Sequence, residues 1–419
     1  MSHFSIQCRH CGKHLESSFC AFCEHCKDSL LVTDYHDARF GESPAEGVWR
    51  FNWLPVHEPK IRQAGPVVYR SQGLAAHFGL RDLHIAFNGY WPEKGALLET
   101  CTFKEFEAAT VLQNARENTI EGLIVASAGN TARAFAHLST VTGFPTVIVV
   151  PRMCLGEMWY LADRFAVPTL AVNDGDYADS IDVAKRIAMA TGFPFEGGVK
   201  NIAKRDGLGI VMIEAVSKIG KLPDHYVQAV GSGTGAVGAW EMTERFRKDG
   251  RYGSRLPILH LGQNLPFAPM MNAWNKRSRV LSPEDLRPEL ISQITTRVLS
   301  TRYPAYSVEG GVFDALTATK GHMYGVTNDA VYAGMELFQG TEGIDLVPAS
   351  GVAVAVLKDA VQTGAIKKNE TVLLNITGGG EARLKQDRKT YAVVPKFISK
   401  NITDKEIEEL LCSVLKKSS

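Results

Sequence analysis

The sequence predicts an α/β protein built on two lobes of doubly wound parallel sheet, with a small zinc-ribbon-like segment at the N-terminus. Three observations predict this. Short apolar runs alternate with helical patterns over most of the chain. Two of those runs end in glycine-containing turns that open a helix, at 127–131 and 231–235. Five of the eight cysteines crowd into residues 8–26. The chain has 419 residues, 45% hydrophobic and 22% charged, which is enough to bury cores in two or three domains.

Residues 1–45 form the cysteine-rich segment. Cys8 and Cys11 are spaced as one knuckle and Cys23 and Cys26 as a second. Thiolates two residues apart can turn back onto one tetrahedral metal. Cys20 is a spare ligand, and reduced cysteines in a vestigial ribbon are the alternative. The segment lacks a basic stripe with interleaved aromatics, so a structural or interface role suits it better than nucleic-acid binding. Residues 54–73 read as a loop with short strands. Runs at 123–126, 145–150 and 169–172 read as parallel strands, with a helix at 177–190 between lobes of the pattern. A second set of strands falls near 226–230, 256–261 and 371–376. The expected division is a small α/β domain at 112–195 and a larger one made of 46–111 plus 196–419. The last stretch, 403–417, reads as an amphipathic helix that caps or forms an interface.

Composition excludes several classes. The formal net charge is +1, which argues against bulk attraction to nucleic acid or membrane. The longest uncharged apolar run is too short to span a bilayer. No signal-peptide pattern opens the chain, and the expected location is the cytoplasm.

Four segments carry the chemistry. Lys104 stands in Thr102-Phe103-Lys104-Glu105-Phe106-Glu107. Most lysines on helices are solvated charges, but one in a dry pocket can condense with an aldehyde. Ser127-Ala128-Gly129-Asn130-Thr131 follows an apolar strand and opens a helix. It is a plain turn or a loop of short donors around a planar ligand. Gly231-Ser232-Gly233-Thr234-Gly235 follows another strand and precedes a helix, which makes it a candidate phosphate cup. It lacks the Gly-Lys-Ser/Thr ending of a P-loop. Gly231, Gly233 and Ala236 fit part of a dinucleotide fingerprint, but the next strand ends in Gly262-Gln263-Asn264, with no carboxylate for a ribose. Finally, the apolar run to Ile376 ends in Thr377 and three glycines. A hydroxyl there can hydrogen-bond a pyridine nitrogen without protonating it.

In this order the four segments resemble the pyridoxal-phosphate (PLP) enzymes of fold type II, the tryptophan synthase β-like group. Within it the chain is similar to the threonine synthase family, and most of all to the cysteate synthases. The resemblance rests on 89–96 (GYWPEKGA), 102–108 (TFKEFEA), 126–137 (ASAGNTARAFAH) and 224–226 leading into GSGTG. It rests also on 263–267 (QNLPF), 306–308 (YSV), Glu342-Gly343 and Pro348-Ala349-Ser350. It implies that Lys104 carries the cofactor as a Schiff base and serves as catalytic base. Asn130 would bond the cofactor's 3′-oxygen, Gly231, Ser232, Gly233, Thr234 and Gly235 its phosphate, and Thr377 its ring nitrogen. Ser127, Ala128, Gly129 and Thr131 would take the substrate carboxylate, and Arg133 a substrate oxyanion, with Lys204 and Arg205 as further cations.

The implied reaction is β-replacement of the phosphate of O-phospho-L-serine by sulfite, through an aminoacrylate intermediate. Two departures from the threonine synthase pattern put a homoserine-phosphate substrate in doubt: Phe106 where a basic residue is usual, and Gly207-Leu208-Gly209-Ile210 where a Gly-Gln-Lys-Thr-like phrase is usual. Threonine synthesis and β-replacement with another nucleophile remain alternatives. A non-catalytic regulator working through the ribbon is the rival from another class, and the intact Lys104, Asn130 and Thr377 argue against it. The resemblance further implies a homodimer with a small amino-acid substrate and a small anionic nucleophile, and no nucleic-acid or membrane partner.

Overall fold

In a computed structural model of the chain, the structure describes residues 2–15, 19, 23, 25–26, 29–161 and 167–415. A six-stranded sheet runs in the order His322–Val326, Ile258–Asn264, His225–Ala229, Thr371–Ile376, Asp82–Phe87, Val67–Arg70. Its strands are parallel except for the edge strand Val67–Arg70, which is antiparallel. A four-stranded parallel sheet has the order Lys396–Ile398, Thr169–Val172, Thr146–Pro151, Leu123–Ala126. The central strands are buried on both faces, which is why they read as continuous apolar runs rather than alternating ones. Helices cover both sheets, so each buried strand face has an apolar partner.

The ribbon is a three-stranded antiparallel sheet of Phe4–Cys8, His14–Leu15 and Leu31–Tyr35. Its core side chains Phe4, Ile6, Leu31 and Tyr35 pack into the same cluster as the helices Ile202–Ile219 and Thr234–Asp249. Charge locks it there as well. Arg205 is fully buried, donates to Glu241 at 3.0 Å and also reaches the carbonyl of Leu31.

The tail differs from expectation. Past residue 390 the chain returns to the smaller sheet instead of staying with the larger. Lys396–Ile398 pairs in parallel with Thr169–Val172. The helix Asp404–Leu415 buries Ile407 and Leu410 among Val183, Ala184 and Ile187. Three residues of strand carry too little pattern to name their sheet. Only the apolar stripe of the helix beyond them, matched to an exposed face, selects it. Among the described residues no helix is long and apolar enough to cross a membrane.

Candidate active site

The start of the lysine helix, Lys104–Glu117, is pinned to the end of the strand Thr371–Ile376. Phe103 N–H donates to the Thr377 carbonyl at 3.0 Å, and Gly379 N–H donates to the Cys101 carbonyl at 3.1 Å. Ser350 clamps the same turn, donating to the Gly378 carbonyl at 2.7 Å and accepting from its N–H at 3.0 Å. These bonds place Lys104 beside Thr377, although the two are far apart in sequence.

Both glycine turns lie at the carboxyl ends of parallel strands. In the first, Ser127 N–H donates to the Val149 carbonyl at 3.1 Å, and the Ser127 hydroxyl accepts from Gly129 N–H at 3.1 Å. Gly129 has φ 141°, and a Cβ there would lie 2.8 Å from Cβ of Glu157. Only glycine makes this bend, which delivers Asn130 to the helix start at the cavity wall. In the second turn Gly233 has φ 83°, and a Cβ would meet Val312 at 2.2 Å. The Ser232 and Thr234 hydroxyls lie 2.9 Å apart and begin the helix Thr234–Asp249. The first N–H groups of that helix have no intrahelical acceptor and carry its positive dipole end, so the turn is built for an anion.

One cavity of about 520 Å³ is lined by Lys104, Ser127, Ala128, Gly129, Asn130, Thr131, the whole 231–235 turn and Thr377. All four sequence segments therefore meet. The volume suits a cofactor-sized ligand, and the donor set offers an amine, an amide, an anion cup and a hydroxyl. These fit the aldehyde, 3′-oxygen, phosphate and ring nitrogen of PLP. Lys104 is half-buried at the cavity wall. Burial pushes its pKa below the ordinary lysine value, the Lys204 charge pushes the same way, and Glu107 opposes both.

Arg133 and Arg205 do not join them. Arg133 is 1% exposed and does not line the cavity. Its guanidinium donates to the carbonyls of Glu157 and Thr100, both at 2.9 Å. It also makes charge contact with Glu381 at 3.0 Å and stacks over Trp159 at 4.5 Å. Arg205 is spent on Glu241 and the ribbon. Lys204 does line the cavity, but it is paired with Glu196 at 3.1 Å and Glu107 at 3.4 Å.

Sequence reasoning missed Glu107, Glu196 and Tyr177. Glu107 is fully buried. It bridges Lys104 at 3.1 Å and the Thr131 hydroxyl at 2.6 Å. Its three-residue spacing from Lys104 places the two on one helix face but does not mark its burial. Glu196 and Tyr177 line the cavity from elements with no motif of their own.

In the ribbon, the sulfurs of Cys8, Cys11, Cys23 and Cys26 all lie within 4.8 Å of one another, compatible with one tetrahedral ion. Cys20 lies outside the described residues.

Residues 88–378 match the family model described as pyridoxal-phosphate dependent enzyme. The chain belongs to that family, and its fold is that of the type II PLP enzymes. Among curated relatives it is 44% identical to the cysteate synthase of Methanosarcina barkeri, over 98% of this chain and 100% of the relative. It is 47% identical to that of Methanosphaerula palustris, over 94% and 92%. Among solved structures it is similar in fold to maize serine racemase, with TM-score 0.57, 15% identity and coverage of 76% of this chain and 91% of that one. The serine racemase of Dictyostelium discoideum gives TM-score 0.53 and 15% identity, over 75% and 91%.

Proposed function

We propose that this protein converts O-phospho-L-serine and sulfite into L-cysteate and phosphate with PLP. The observation that carries the reading is the convergence of Lys104, the asparagine turn, the 231–235 turn and Thr377 on one cavity, in a chain 44% identical to cysteate synthases over nearly its whole length. Bound there, PLP supplies an electron sink that acidifies the amino acid's Cα–H and permits loss of the β-substituent. The Cβ–O bond breaks, phosphate leaves with its electron pair, and a sulfite lone pair forms the Cβ–S bond.

The residues divide the work. Lys104 would hold the cofactor's aldehyde, and its amine would take the Cα proton and later return it. Burial lowers the basicity of Lys104, the direction that favours the neutral form this needs, while Glu107 opposes it. Asn130 would bond the 3′-oxygen. The N–H groups of the 231–235 turn and the Ser232 and Thr234 hydroxyls would hold the phosphate. Thr377, neutral, 6% exposed and lining the cavity, would hydrogen-bond the ring nitrogen without charging it. Ser127, Ala128, Gly129 and Thr131 receive the substrate carboxylate. We further infer a homodimer, as the family resemblance implies, and a reducing cytoplasmic setting that suits four metal-bound thiolates.

The test is an absorbance spectrum of the purified protein with O-phospho-L-serine and then sulfite added. A visible cofactor band that shifts with phosphoserine and reverts with sulfite as phosphate is released supports the reading. A band that answers only to O-phospho-L-homoserine moves the assignment to threonine synthesis. A Lys104→Ala variant that keeps the band and the activity overturns the role of Lys104.

A further inference from the structure

Three helices converge on one buried carboxylate. Glu107 sits one turn beyond Lys104 on the lysine helix and has no exposed surface. One oxygen meets the Lys104 amine at 3.1 Å. The other accepts from the Thr131 hydroxyl at 2.6 Å, on the helix of the asparagine turn, and lies 3.4 Å from Lys204 on the helix Ile202–Ile219. Lys204 also pairs with Glu196 at 3.1 Å, and the second Glu196 oxygen is buried with no hydrogen-bond partner among the described residues. The titratable groups around Glu107 are therefore Lys104, Lys204, Glu196 and Tyr177, whose phenol faces the same cluster.

The charges close on themselves. With the Lys104 amine free and protonated, two ammonium groups face two carboxylates. With that amine engaged elsewhere, Lys204 alone faces both carboxylates and still pairs Glu107. A buried carboxylate without such a partner would be strongly disfavoured. Burial works against the Glu107 charge, but Lys104 and Lys204 hold its carboxyl below the ordinary value.

We propose that Glu107 is the positioning residue of the Lys104 amine, holding it against the cavity wall and tying it through Thr131 to the turn that receives the substrate. This rests on the reading of Lys104 as the cofactor's attachment point. A free lysine chain has many rotamers, and the return step needs one of them. Glu107 supplies the fixed acceptor that selects it, and Lys204 holds Glu107.

The test uses the full-length, cofactor-free protein. Trace acetic anhydride labels amines only when they are neutral, and peptide mass spectrometry follows Lys104 as pH is varied. In Glu107→Gln the midpoint of Lys104 labelling falls by at least about one pH unit, or about tenfold faster labelling at a fixed pH below the midpoint. Glu107→Asp, which keeps the charge but retracts it, falls by less. Profiles that superimpose on wild type overturn the proposal. If Glu107→Gln does not fold, Glu107→Asp decides in the same way: a lowered midpoint supports the proposal and an unchanged one overturns it. Borohydride reduction of the holoenzyme followed by peptide mapping separates the two readings. A pyridoxyl group on another lysine sinks the Lys104 assignment and this proposal with it. A group on Lys104 with unchanged labelling profiles sinks the Glu107 role alone.

Discussion

Replacing Arg133 by methionine should damage stability and spare substrate binding. Arg133 opens the helix after the asparagine turn, where a cation for the substrate's phosphate would be expected. The structure spends it elsewhere. Two charge-assisted hydrogen bonds to the Thr100 and Glu157 carbonyls, at 2.9 Å each, join three segments of chain. Such bonds contribute about 1.5–3 kcal/mol each. The Glu381 contact at 3.0 Å adds to this, because the Glu381 oxygen it meets is buried and has no hydrogen-bond partner among the described residues. Methionine fills much of the volume over Trp159 and recovers part of the loss. The expected cost is about 3–5 kcal/mol, the range for breaking a buried polar network. Urea denaturation of holoenzyme and variant measures it, and a phosphoserine titration of the cofactor absorbance runs beside it. An unchanged unfolding midpoint with a tenfold or larger loss of phosphoserine affinity would refute the reasoning and restore Arg133 as an anion ligand.

Three further outcomes are expected. Gly233→Ala should weaken cofactor binding about tenfold or more in an absorbance titration, because left-handed backbone costs an L-residue about 1–2 kcal/mol and Val312 must also move. Gly250→Ala, at φ 79° but with nothing within 4 Å, should leave cofactor affinity intact. Elemental analysis should find one zinc per chain, and chelation should lower the unfolding temperature while the cofactor band persists. The Glu99–His137 pair, at 3.1 Å, should show a defined pH window. Burial works against the charge of His137, but its hydrogen bond to Glu99 and the Glu105 charge raise its pKa. That stabilisation is complete below the unfolded histidine pKa and is lost as pH rises through the raised one. The His137 hydrogen bond draws Glu99 down to about 2, so the Glu99 contribution is present above its unfolded pKa and is lost as pH falls through about 2. His137→Gln should therefore cost stability near neutral pH and little in strongly alkaline buffer, by denaturation at each pH.

Much of the candidate site was legible because its signals are contiguous. A buried parallel strand needs an unbroken apolar run, and an anion turn needs glycines before a helix, so 123–131 and 226–235 each announce themselves. Lys104 was legible only through its company, since one lysine on a helix says nothing about burial. Glu107 was not legible. Read along the helix it is an ordinary acid three residues from a lysine, and only the packing of three helices removes it from water.

The order of the four segments, the six strands named from apolar runs and the two cysteine knuckles belong to the sequence by itself. Each depends on stereochemistry or ligand spacing within a few neighbouring residues. The tertiary structure decided where side chains point: Arg133 to Thr100 and Glu157, Lys204 to two carboxylates, the 396–398 strand to the smaller sheet. These outcomes rest on partners distant along the chain. Burial turns their charges from solvated ornaments into paired groups, and no local pattern records which partner packing will bring.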